Sequence, residues 1–125
     1  MARVLIVEDN ENNMELISFI LEASGDETLK AMNGLTGIEK ALSEQPDYII
    51  LDIQLPDIDG FEVLKRIRAA KEGKNIPIIA MTSYAMSGDK ERMLKAGCNG
   101  YIEKPIDPER VIAQIRDVLE KAANR

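Results

Sequence analysis

The 125-residue chain contains no histidine, so its chemistry must run on acids, hydroxyls, lysines and oxygen-seeking metals. The absence removes imidazole general bases, Ser-His triads and nearly every zinc site. The single cysteine, Cys98, allows no internal disulfide and follows Gly97 without a basic neighbour in sequence, as a packed small residue would rather than a reactive thiol. The residues that stand out lie directly after apolar runs: Glu8 and Asp9 after VLIV, Asp52 at the end of YIILD, Thr82 and Ser83 after PIIAM, and Lys104 just beyond GYI. An acid at the end of so apolar a run either marks where a strand meets water or is held at the rim of a rigid sheet for a reaction.

The elements that would hold these residues alternate. Strands are expected at 3–7, about 26–30, 48–52, 77–82 and 100–102. Three are continuous apolar runs, as in parallel strands covered on both faces, while the polar second one reads as an edge strand. Helical periods occupy 11–24, 34–44, 60–70, 87–96 and 108–123. Met14, Ile17, Ile20 and Leu21 form the first apolar stripe, Leu35, Ile38 and Leu42 the second, and Met93 and Leu94 belong to the fourth. Gly25 and Gly97 read as stops, Asp59 with Glu62 as a cap, and Asp107 with Pro108 as the cap and first position of the last helix. Strand–helix alternation with short loops implies a doubly wound five-stranded parallel sheet flanked by five helices. A single domain over 1–125 is expected, with no effector domain.

In such sheets the sites gather at the carboxyl ends of the strands. With strand order 2-1-3-4-5, as in the flavodoxin-like folds, Glu8, Asp9 and Asp52 meet in one crevice. Glu8 and Asp9 by themselves read first as acids at a helix start, favoured by the helix dipole. Beside Asp52 they repel, and such a cluster is tolerable when a cation joins it. Oxygen donors alone indicate a hard ion, and Mg2+ suits one or two carboxylates, a carbonyl and several waters. Lys104 adds a point charge over the crevice and Thr82 a hydroxyl donor. A metal, a lysine and a hydroxyl around one carboxylate make a phosphoryl-transfer site, with Asp52 as nucleophile and an aspartyl phosphate as product.

These motifs together resemble the receiver domains of two-component response regulators, along the whole chain: Glu8-Asp9 in VLIVEDN, Asp52 in LDIQLPDIDG, Thr82-Ser83 in IIAMTSYA, Lys104-Pro105 in GYIEKPI. Asn10, Asn13, the run Asp52–Pro56, Ala85-Met86 and Gly97-Cys98 look most like the single-domain DivK type and receivers attached to hybrid kinases. The resemblance implies that Asp52 takes a phosphoryl group from a phosphohistidine on a histidine kinase or histidine phosphotransfer protein. It implies that Asp9, Asp52 and the Gln54 backbone carbonyl bind magnesium directly and Glu8 through water, and that Thr82 and Lys104 hold phosphoryl oxygens. Tyr101 stands at the position of the switch aromatic, the Lys104–Pro105 bond would be cis, and Tyr84 sits where dephosphorylation is tuned. Phosphorylation would then change binding to a downstream protein partner.

The net charge of −6 disfavours phosphate backbones, so no nucleic acid is expected as a partner. No run approaches the roughly 18 apolar residues of a membrane span, and the first residues do not read as a signal peptide. A cytoplasmic monomer with no membrane partner is expected. A haloacid-type phosphatase needs a second acid two residues after its nucleophile, where this chain has Gln54. A flavodoxin would need a phosphate loop free of acids, where Glu8-Asp9-Asn10-Glu11 repels anions. A phosphorylation-independent pseudo-receiver is the remaining alternative.

Overall fold

The computed structural model describes residues 1–83 and 87–123, with the backbone alone for residues 87 and 88. The elements are β1 (Arg3–Val7), α1 (Glu11–Ala23), β2 (Glu27–Ala31), α2 (Gly34–Glu44), β3 (Tyr48–Asp52), α3 (Gly60–Ala69), β4 (Ile78–Thr82), α4 (Ser87–Ala96), β5 (Gly100–Glu103) and α5 (Val111–Ala123), with a single 3-10 turn at Lys71–Gly73 after α3. The five strands are parallel in the order β2-β1-β3-β4-β5, the doubly wound arrangement expected from the alternation.

Two cores follow from the two faces of the sheet. On one, Leu5, Val7, Ile49, Leu51, Ile78 and Ala80 meet Val63, Leu64 and Ile67 of α3 and Met93 of α4. On the other, Val4, Ile6, Ile50 and Ile79 meet Met14, Ile17 and Leu21 of α1 and Val111 and Ile115 of α5. Strands β3 and β4 are buried at every position, which is why their runs carry no polar alternation. Cys98 is buried, and desolvation pushes its thiol up to about 12, so it packs as a small apolar residue.

The helix ends explain where sequence reading held and where it slipped. Gly25 at φ 95° and Gly97 at φ 116° take the left-handed turn that ends α1 and α4. Asp59 caps α3 by accepting from Phe61 N at 2.7 Å, but Glu62 pairs with Arg66 rather than closing a capping box. Asp107 does accept from Glu109 N, yet residues 108–110 form a turn and α5 begins at Val111, three residues after the expected Pro108. Leu35, placed in the apolar stripe of α2, is 51% exposed, because it stands on the first turn above the loop that follows β3.

Ser18 is the odd residue of the core. It is buried in α1, and its hydroxyl has no hydrogen-bond partner among the described residues. A buried, unpaired hydroxyl costs free energy that a methyl group does not. Ser18→Ala is therefore expected to stabilise the protein by about 1 kcal/mol, read as an upward shift of the urea midpoint at constant slope.

Candidate functional site

The carboxyl ends of β1, β3, β4 and β5 place the reactive side chains. Parallel register sets Val7 beside Leu51, so Glu8 and Asp52, each one residue further, come level at the rim. Asp52 pairs in register with Met81 and Thr82 with Glu103, so the hydroxyl stands one residue above Asp52 on the next strand. Lys104 follows β5 directly, and its amide donates to the Thr82 carbonyl at 2.8 Å.

Lys104 Nζ lies 2.8 Å from Glu8 Oε1 and 2.9 Å from Asp52 Oδ2. Both acids are 3% exposed, so one ammonium serves two carboxylates removed from water. The charges do not balance. Burial raises the pKa of Glu8, the Asp52 carboxylate adds to the rise, and Lys104 only partly opposes it. Burial pulls Lys104 down, but its contacts with Glu8 and Asp52 outweigh this and hold it above its ordinary value. The two directions agree once the counting is done: Lys104 is held charged by two acids, and neither acid has a cation of its own. Glu8 Oε1 also lacks a directed hydrogen bond, the lysine contact being close but poorly aimed, while Glu8 Oε2 accepts from Asn10 N at 3.2 Å.

Asp9 supplies the third acid, and one carboxylate oxygen each from Glu8, Asp9 and Asp52 can be grouped within 4.8 Å. Asp9 is exposed and takes no part in capping α1, because Asn10 does that by accepting from Asn13 N at 3.0 Å. The helix-start alternative for Asp9 thus has its place filled by a neighbour. Asp52 Oδ1 accepts from Gln54 N at 2.9 Å, which fixes the carboxylate and starts the turn that carries the Gln54 carbonyl. An excess of buried negative charge and an oxygen-only donor set both fit a hard divalent cation.

Thr82 is buried at the end of β4 beside a cavity of about 130 Å3 lined by Ile53, Phe61, Asp89, Arg92 and Met93. Arg92 sits 3.9 Å above the Phe61 ring, tying α4 to α3, and Lys90 lies 5.0 Å from the Tyr101 ring, tying α4 to β5. Half-buried Tyr101 packs on the α3–α4 core and lines an outward groove with Gly100, Gln114 and Val118 rather than the cavity beside Thr82. Ser83 is exposed, the Lys104–Pro105 bond is cis, and Tyr84 lies outside the described residues. Sequence reading missed Asp57, which accepts from Gly34 N and Leu35 N at the start of α2, and Arg68, whose guanidinium meets backbone carbonyls at the far end of the sheet.

Residues 4–116 match the family described as the response regulator receiver domain. The chain is a response-regulator receiver domain. It is 47% identical to the polar-differentiation response regulator DivK of Brucella anthropi over 119 residues, covering 95% of this chain and 97% of that one. The DivK of Brucella ovis is 46% identical over the same shares. Among solved structures, the chemotaxis response regulator CheY4 of Vibrio cholerae superposes with a TM-score of 0.90 at 30% identity, covering 94% of this receiver and 98% of that chain. The receiver domain of a sensor histidine kinase from Pseudomonas aeruginosa, solved with a magnesium ion coordinated in its active-site cleft, gives 0.85 at 32% identity, covering 98% of both. As a receiver the protein is a phosphorylation-dependent signalling switch of the two-component type, and neither the haloacid-type phosphatase nor the pseudo-receiver is favoured. No described helix is long and apolar enough to cross a membrane.

Proposed function

We propose that Asp52 accepts a phosphoryl group from a phosphohistidine of a histidine kinase or histidine phosphotransfer protein, assisted by Mg2+ held by Asp9, Asp52 and the Gln54 carbonyl with Glu8 in the outer shell. The observation that carries this is the single Lys104 ammonium shared between two buried carboxylates, which leaves the rim short of positive charge before an anion arrives. A bound magnesium ion supplies charge neutralisation for the transferring oxygens.

The chain's own groups do the rest. Asp52 Oδ1 is fixed by Gln54 N and Oδ2 by Lys104, so an oxygen of the carboxylate is oriented as a nucleophile. In the reaction an Asp52 oxygen forms a bond to phosphorus as the bond from phosphorus to the donor nitrogen breaks, and the histidine leaves with that electron pair. Lys104 then has a phosphoryl oxygen to pair with, and Thr82, one register position above, donates its hydroxyl to another. The drawing-in of Thr82 passes to Phe61, Arg92 and Tyr101 through α4, and so to the surface of α4, β5 and α5 offered to a downstream protein partner. Dephosphorylation is tuned by Tyr84, two residues after Thr82 in the sequence.

The test is mass spectrometry after incubation with acetyl phosphate, with and without magnesium: one added phosphoryl group is expected with the metal, and no uptake with it would return the protein to a partner-binding module. Asp9→Asn provides a second check. It should weaken magnesium binding by about tenfold or more, while the metal-free protein melts no lower than the parent, because a repelling charge has gone and no cap is lost. A metal-free melting temperature well below the parent's would instead give Asp9 a structural role.

A further inference from the structure

The loop between β3 and α3 starts from a bond of Ile53 N to Met81 O of β4 at 3.1 Å and is held at three further points. Two lie within it: Gln54 N donates to Asp52 Oδ1, and Gly60 N donates to Ile53 O at 2.9 Å. A β-carbon on Gly60 would come 2.5 Å from the Ile53 Cα, so this closure is steric as well as hydrogen-bonded. Between residues 53 and 60, Leu55 and Ile58 pack against the core on the α3 face of the sheet.

The third hold is Asp57, at the tip. Its Oδ1 accepts from Gly34 N at 2.8 Å and its Oδ2 from Leu35 N at 2.9 Å. These are the first two amides of α2, donors that every helix start leaves without an internal partner. The helix's own cap, Asn33, reaches Thr36 N at 2.9 Å. Asp57 therefore caps a helix to which it does not belong. The contact is close-packed too: a β-carbon on Gly34 would stand 2.7 Å from the Ile58 side chain and 3.2 Å from Asp57 Oδ1. Desolvation pulls the Asp57 carboxyl up, but the amides of Leu35, Gly34 and Ile58 outweigh it and hold it below its ordinary value.

We infer that Asp57 is a positioning residue for the metal site: by bridging the β3–α3 loop to the first turn of α2, it fixes where the Gln54 carbonyl and the Asp52 carboxylate stand. The inference rests on the magnesium reading above. A metal ligand is only as well placed as the groups that hold it from outside, and loss of such a group costs affinity without touching the ligand. The coupling is reciprocal, so metal binding must in turn steady the amides of Gly34 and Leu35.

The test is a set of magnesium titrations, followed by the amide shifts of residues 8–10 and 52–54, on the parent, Asp57→Ala, Asp57→Asn and Asn33→Ala. Asp57→Ala is expected to bind about tenfold more weakly. Asp57→Asn keeps one of the two acceptors and turns an NH2 toward the other amide, so its affinity should fall between those of the parent and Asp57→Ala. Asn33→Ala weakens the same helix end without touching the loop, so it should lower the melting temperature and leave the affinity alone. In the parent, magnesium should slow hydrogen exchange at Gly34 and Leu35. Parent-like affinity in Asp57→Ala overturns the inference. So does an equal loss in Asn33→Ala, which would assign the effect to helix stability. Absence of magnesium shifts in the parent itself would overturn the metal reading instead.

Discussion

Asp52→Asn is expected to take up no phosphoryl group from acetyl phosphate under conditions that label the parent to near completion. The amide has the shape of the carboxylate, and its oxygen still accepts from Gln54 N, so the β3–α3 loop keeps its start. It has no anionic oxygen to attack phosphorus, and a neutral amide is a far poorer nucleophile. The substitution also frees Lys104 to pair with Glu8 alone, across the 2.8 Å contact already present. The metal-free variant should therefore be at least as stable as the parent while inert to the donor. Loss of labelling together with loss of fold would not separate the two roles, so thermal melting belongs in the same experiment. Labelling that survives the change removes Asp52 from the centre of the site.

The second large effect is expected at the opposite pole. Arg68 Nη1 donates to Gly73 O at 2.8 Å and Ile76 O at 2.7 Å, while Nε and Nη2 reach Gly97 O at 3.1 and 2.8 Å. Nη2 also reaches Asn99 Oδ1 at 3.1 Å, and that same oxygen accepts from Ile78 N. One guanidinium thus ties the end of α3 to the entry of β4 and to the turn between α4 and β5. Arg68→Met keeps most of the stem and leaves these carbonyls to find water, at a cost of about 3 kcal/mol and a melting temperature lower by roughly 10 °C. Phosphorylation of whatever remains folded should proceed normally, since the site lies at the other ends of the strands. A loss below about 1 kcal/mol in urea titration would show that solvent replaces the guanidinium freely.

The contrast between these two residues says what the chain discloses in advance. Asp52 announces itself because a carboxylate ending a fully apolar strand is chemically out of place, and the same incongruity marks Glu8 and Lys104. The sheet is legible for a related reason: β1, β3 and β4 are covered on both faces, so their runs lack the alternation that would blur strand and loop. Arg68 and Asp57 carry no such mark. Each is a charged residue whose partners are mostly backbone groups, with Asn99 Oδ1 the side-chain exception at Arg68, and backbone partners leave no trace in residue types. Glycines give the one available hint, since Gly34, Gly73 and Gly97 each stand where a β-carbon would strike a neighbour of these ties. The misplaced start of α5 has a similar origin. Asp107 does bond the amides that follow it, but capping chemistry fixes the bonds without fixing whether the first turn is helical.

One property of the sheet's margins bears on how the protein meets other proteins. Strand β2 lies at one edge and carries exposed Glu27 and Lys30, and the Lys30 carbonyl is already taken by the ammonium of Lys40 from α2. Strand β5, at the other edge, has only four residues. Charged or short margins of this kind resist the addition of a further strand. Such margins favour docking side chain to side chain on the helical faces over extension of the backbone ladder, so that moving a single helix can make or break the fit.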